Sequence, residues 1–162
     1  PEVTWEPWKF THNSVPKGYW TKTDNLRTFF DSVGHQIGIK ALDDWYEKLS
    51  ASTIAKYGGS FLFNYNKASP TAALIAAYPE HNWIPWKFNK APQGYWDDVS
   101  NQRKFFDDLG QSLGITALDD WYSTLSKEVV AKHGGRGFLP RYKDSPSAAL
   151  MAVYPEHNWI PW

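Results

Sequence analysis

The chain has no cysteine and a single methionine. That absence excludes disulfide bridges, iron–sulfur clusters and thiolate zinc sites, and leaves the compartment open. An excess of charge of one sign is missing too, since 17 Lys+Arg balance 17 Asp+Glu over 162 residues. Zero net charge argues against a uniformly basic nucleic-acid clamp, although a local patch survives that test. No run approaches 18 uninterrupted apolar residues, so no membrane span is predicted. The opening residues PEVTWEPWKF lack the basic start and apolar run of a signal peptide. What the chain holds in quantity is aromatic: 10 Trp, 9 Tyr and 9 Phe. With 42% hydrophobic and 21% charged residues it is expected to fold around a core.

The sequence also repeats itself, and a period of this length governs the fold. WKFTHNSVPKGYW at Trp8–Trp20 returns as WKFNKAPQGYW at Trp86–Trp96. ALDDWY at Ala41–Tyr46 returns at Ala117–Tyr122, and PEHNWIPW at Pro79–Trp86 returns unchanged at Pro155–Trp162. More than half of the aligned positions are identical at a spacing of about 76 residues, with a difference of length in the THNSVP loop and the weakest match in the glycine segment before each Ser-Pro. Pro1–Trp8 reads as a diverged further copy of PEHNWIPW, and Trp162 as the start of another WKF. The pattern therefore predicts the end of a preceding repeat at 1–7, repeat one at 8–85 and repeat two at 86–162, a fragment of a longer array.

Within each repeat the periodicity is helical. Leu26, Phe29, Phe30, Val33 and Ile37 share one helix face, as do Phe105, Phe106, Leu109 and Leu113. Thr23 or Asp24 is the expected cap of the first of these helices and Ser100 of the second, with Gly38 and Gly114 as their ends. Asp43 and Asp119 are expected to cap the DDWY helices. A third helix, near Ser52–Tyr57 and Lys127–His133, should stop where Gly58-Gly59 and Gly134-Gly135 supply positive φ. Ser69-Pro70 and Ser145-Pro146 mark a fourth start, Ser as cap and Pro in the first turn. The expected fold is all-α: two tandem repeats of about four short helices each, joined by a Trp/Pro-rich segment and sharing a Trp-rich core. That core is predicted to hold Trp20, Trp45, Trp83, Trp96, Trp121 and Trp159, with Leu26, Phe29, Phe30, Val33, Leu42, Leu49, Leu62, Leu74 and Tyr78 in repeat one. Repeat two adds Phe105, Phe106, Leu109, Leu118, Leu125, Leu139, Leu150 and Tyr154.

Several features carry a bland and a functional reading side by side. The Trp rings either fill the core of small repeats or, at Trp8, Trp20, Trp86 and Trp96, face solvent as stacking platforms. The paired acids at residues 43–44, 97–98, 107–108 and 119–120 are best read as caps at helix starts, because neighbours on a helix point about 100° apart and do not converge. His81 and His157 each stand beside one Glu, too few groups for a metal site. The glycine turns lead through basic residues to a helix start, a geometry that attracts phosphate. From Lys127 to Lys143, five cations oppose only Glu128, a net of +4, whereas Asp97 to Tyr122 has a net of −4. No nucleophile constellation recurs in both copies, so an enzyme is not expected.

The run PxGYW…N.R.FFD.LG..LGI..LDDWY…GG..L..Y..S…AL…YPEHNW..WKF resembles a functionally uncharacterised Trp-rich tandem-repeat family seen in predicted eukaryotic proteins. The resemblance covers essentially the whole chain and implies a longer array; it supplies no catalytic or ligand residues. From the residues, the expected function is a non-enzymatic, cofactor-free binding module that contacts nucleic-acid backbone through Lys56, Lys67, Lys132, Arg136, Arg141 and Lys143. A protein-interaction scaffold is the alternative, and carbohydrate binding by exposed Trp the third reading.

Overall fold

The computed structural model describes residues 6–9, 15–60, 62 and 69–161. Lys67, and residues 1–5 of the predicted preceding repeat, lie outside them. The chain is all-α. Among the described residues there are eight α-helices linked by short 3-10 turns, and no strand. Two compact units divide it, Pro1–Gln93 and Gly94–Trp162. The first holds α1 (Thr23–Ile37), α2 (Trp45–Lys48), α3 (Ala51–Lys56) and α4 (Pro70–Ala77). The second holds α5 (Val99–Leu113), α6 (Trp121–Thr124), α7 (Lys127–Lys132) and α8 (Pro146–Val153). Among the described residues no helix is long and apolar enough to cross a membrane.

In each unit the long helix is the floor of the core. Leu26, Phe29, Phe30 and Val33 of α1 are buried, as are Phe105, Phe106 and Leu109 of α5, and the Ser-Pro helix packs against that face. Both long helices end on a left-handed glycine, Gly38 at φ +79° and Gly114 at φ +73°. Their starts differ from expectation. Each helix begins one residue after an extended position, so Thr23, Asp24 and Ser100 already lie in the first turn. The cap of α5 is Asp98, whose carboxylate accepts the Ser100 N–H at 2.8 Å. The same place before α1 is Lys22, which has no oxygen to offer and makes no side-chain cap.

The DDWY segment also departs from expectation. Leu42–Asp44 and Leu118–Asp120 are 3-10 turns, and the second Asp of each pair reaches backward. Asp44 Oδ2 accepts the Lys40 and Ala41 N–H groups at 2.8 and 3.0 Å, and Asp120 Oδ2 those of Thr116 and Ala117 at 2.9 and 3.0 Å. These backbone donors hold both carboxyls below their ordinary pKa. Asp43 and Asp119 therefore cap nothing. Asp107 and Asp108 do not begin a helix either, since both lie inside α5.

The double glycines split their work. Gly58 and Gly134 take φ of +87° and +99°, the expected helix stop. Gly59 and Gly135 are needed for space instead. A Cβ on Gly59 would meet Phe29 Cζ at 2.5 Å, and one on Gly135 would meet Val130 Cγ1 at 2.6 Å and Phe105 Cζ at 2.7 Å. The Ser-Pro starts follow the sequence reading: Ser69 and Ser145 Oγ accept the Ala72 and Ala148 N–H groups at 3.1 and 3.2 Å.

Trp20, Trp45, Trp83, Trp96 and Trp121 are buried, while Trp159, Leu42, Leu118 and Leu125 are half-buried. Trp8, Ile54, Phe88, Val130 and Phe138 join the buried set. The rings meet edge to face, as in Trp20–Phe29 at 5.5 Å and Phe30–Trp45 at 5.5 Å, the arrangement their quadrupoles favour. Phe88 packs into the first unit's core, although its WKF segment opens the second repeat in sequence.

Candidate functional site

Polar groups that recur in both halves of the sequence are consumed in holding each unit closed. Tyr78 Oη donates to Asp31 of α1 at 2.5 Å, and Tyr154 Oη to Asp107 of α5 at 2.5 Å. Burial and the carboxylate acceptor push both phenols well above the ordinary tyrosine range. Arg27 lies 4.9 Å over the Tyr78 ring and pairs with Glu80, while Arg103 lies 4.6 Å over Tyr154 and pairs with Glu156. His81 Nε2 sits 3.0 Å from Asp43, and His157 Nε2 sits 2.9 Å from Asp119. The YPEH segment is thus clasped to the long helix by its Tyr and Glu and to the DDWY turn by its His. Among the described residues no group of three or more His, Asp or Glu converges as a metal site would require.

The basic stretch of the second unit is different, because its partners do not recur. It runs from α7 through the glycine turn Gly135–Gly137 and the turn Leu139–Tyr142 to α8. A cleft of about 370 Å³ opens there, lined by Lys127, Glu128, Ala131, Arg136, Leu139, Pro140 and Asp144. A buried amide ties the turn Leu139–Tyr142 to α5. Gln102 Nε2 donates to the Trp96 carbonyl at 2.8 Å, and its Oε1 accepts the Tyr142 hydroxyl at 2.7 Å. Gly137 lies against the Trp96 ring, where a Cβ would stand 2.8 Å from Nε1.

The sequence-predicted cations fare unequally. Lys132, Arg136 and Lys143 are exposed and have no acidic partner within ion-pair distance among the described residues. Arg141 is committed to Asp97 and also donates to the Gly137 carbonyl at 3.3 Å. Lys127, which closes on Asp144 at 3.2 Å, removes a further cation from the count. Lys56 is exposed in the first unit, 5.8 Å from the Tyr57 ring. Sequence reasoning missed the Asp97–Arg141 pair, whose members stand 44 residues apart with no spacing signal. Of the two readings of the Trp rings, the structure agrees with packing in the core and not with solvent-facing platforms: Trp8, Trp20 and Trp96 are buried and Trp86 is half-buried, because the small units need their rings inside. The phosphate-like helix start is likewise occupied, with the Ser145 hydroxyl on the Ala148 N–H.

Compared with protein-family models, with curated proteins and with solved structures, the chain matches none.

Proposed function

We propose that this chain is a non-enzymatic tandem-repeat binding module whose second unit contacts nucleic-acid backbone. The observation that carries the reading is the set of exposed cations without acidic partners, Lys132, Arg136 and Lys143, on one short arc of chain beside the cleft. Phosphate contact by three cations releases condensed counterions, which predicts a log–log salt slope of about −2.7 on duplex DNA. Affinity should then fall about 40-fold between 50 and 200 mM salt. Titration with duplex and single-stranded oligonucleotides, followed by intrinsic Trp fluorescence, tests this. A flat titration at low salt removes the chain from the nucleic-acid class.

A second reading is favoured by the lining of the cleft itself. Glu128 and Asp144 stand among the cations, beside Leu139 and Pro140. Mixed charge around a small apolar floor suits a peptide segment of a protein partner better than a phosphate chain. Binding that barely responds to salt and survives Arg136→Ala would support this protein-interaction scaffold.

A further inference from the structure

The charged side chains that line the cleft of the second unit divide into a pair that is committed and a pair that is not. Lys127 closes on Asp144 at 3.2 Å. Glu128 and Arg136 line the same cleft, are exposed, and have no ion-pair partner among the described residues. The rest of the lining, Ala131, Leu139 and Pro140, is apolar. A volume of about 370 Å³ suits a small flat group rather than a folded surface.

The two halves of the sequence sharpen this division. Lys132 and Lys143 answer to Lys56 and Lys67, so the cations outside the lining are common to both halves. All four charged lining residues are particular to the second half: Lys127, Glu128, Arg136 and Asp144 stand where the first has Ala51, Ser52, Ser60 and Ala68. In nucleic-acid recognition, phosphate contacts position a strand while contacts to base edges specify it. The recurring lysines suit the first task. Glu128 suits only the second, because a carboxylate accepts hydrogen bonds and repels phosphate.

We infer that the cleft holds one unpaired guanine of a single-stranded nucleic acid, an inference that rests on the nucleic-acid reading above. The base lies on Leu139 and Pro140, its N1–H and 2-amino group donate to the two Glu128 oxygens, and Arg136 takes the phosphate of the same nucleotide. Lys132 and Lys143 take the flanking phosphates. The donor pattern selects the base. Guanine alone sets two N–H donors side by side on its Watson–Crick edge, whereas cytosine and adenine place a ring acceptor beside the amino group. In thymine and uracil a carbonyl flanks the N–H on each side, and those oxygens repel a carboxylate. A paired guanine is excluded as well, since the duplex occupies that edge and leaves only acceptors in the major groove.

The test follows the fluorescence anisotropy of short labelled strands at about 50 mM salt, where phosphate contacts are strong. The strands are of thymidine or of uridine, with or without one central guanine. That guanine should tighten binding about 10-fold, and inosine, which lacks the 2-amino group, should lose most of the gain. Duplex DNA should bind no tighter than the all-pyrimidine strand. Glu128→Gln should bring the strands with and without guanine to within about 2-fold of each other, without weakening the all-pyrimidine strand, because a charge that repels phosphate is gone. A merely structural glutamate would weaken both. Equal binding of all strands with the salt dependence intact, a guanine preference that survives Glu128→Gln, or tighter binding of duplex overturns the inference and leaves the nucleic-acid reading standing. Binding to none of the strands and none of the duplex removes both.

Discussion

Gly135 separates two reasons for a conserved-looking glycine pair, and its replacement by alanine discriminates between them. Were it present for conformational freedom, alanine would have to adopt a left-handed backbone; but the positive φ belongs to Gly134 alone. Alanine at 135 instead fails on space. Its Cβ would lie 2.6 Å from Val130 Cγ1, and 2.7 and 2.8 Å from Phe105 Cζ and Cε1. Both neighbours are buried, Phe105 at 1% and Val130 at 0%, so neither can swing into solvent. Overpacking of this kind costs about 1–3 kcal/mol. For a unit of this size that lowers the midpoint by about 4–8 °C per kcal/mol. Val130→Ala on its own leaves a void and costs about 2 kcal/mol. Combined with Gly135→Ala, the void receives the added methyl, so the double variant should lose about 1 kcal/mol less than the sum of the single losses. Urea unfolding followed by Trp fluorescence measures all four corners of the cycle. A Gly135→Ala change within about 0.5 kcal/mol of the parent, or strictly additive losses, refutes the packing argument.

Other perturbations test other parts. Lys22→Asp gives α1 the carboxylate that Asp98 supplies to α5, and should raise the stability of the first unit by about 1 kcal/mol in thermal unfolding, whereas Lys22→Ala should give less. Trp45→Ala and Trp121→Ala remove rings that are 1% exposed and should each cost about 3–5 kcal/mol; cooperative unfolding that survives both contradicts the core. Tyr78 and Tyr154 keep their protons in the fold while the unfolded chain loses them near pH 10, so stability is full below that pH and is lost above it. A spectrophotometric titration should show those two phenols ionising only with unfolding, and the losses should shrink in Tyr78→Phe and Tyr154→Phe, with the remainder due to Tyr19, Tyr46 and Tyr95, which burial also raises. In oligonucleotide binding, Arg136→Ala should lower the salt slope by about 1, whereas Arg141→Ala should change it less, because Asp97 already occupies that cation.

The sequence made the helices legible because their signals are local. The apolar stripe of α1, the Ser-Pro starts and the glycine at each helix end depend on residues within one or two turns. Where a side chain had a choice of partner, local reasoning failed. Asp43 looks like a cap from its neighbours, yet His81, 38 residues on, takes it while Asp44 turns back to the preceding loop. Leu26 corresponds to Gln102, and nothing near Gln102 announces that it would be buried with both ends of its amide satisfied. The basic cleft was half visible: its cations stand out in sequence, but Arg141 is neutralised by Asp97 from a turn 44 residues away, and Lys127 by Asp144, one residue past the basic stretch. Phe88 was missed from the core because a sequence repeat need not break where a compact unit does.

The two halves of the chain offer an internal comparison, and it divides the candidate functions. Polar groups present in both halves are paired with one another, in the Tyr–Asp, Arg–Glu and His–Asp contacts that clasp each unit. Around the basic cleft the match is partial: Lys132 and Lys143 answer to Lys56 and Lys67, but Gln102 stands where the first half has Leu26, Asp97 where it has Thr21, and Arg136 where it has Ser60. The ring pair behaves in the opposite way to Arg136, since Tyr46 and Trp83 return as Tyr122 and Trp159 with their geometry intact. A contact that recurs with the period of the sequence holds each unit together in the same way, while a group that does not recur makes one unit differ from the next. On this division, Tyr122→Ala should lower the stability of the second unit, whereas Arg136→Ala should leave that stability within about 0.5 kcal/mol of the parent and alter only what the unit binds.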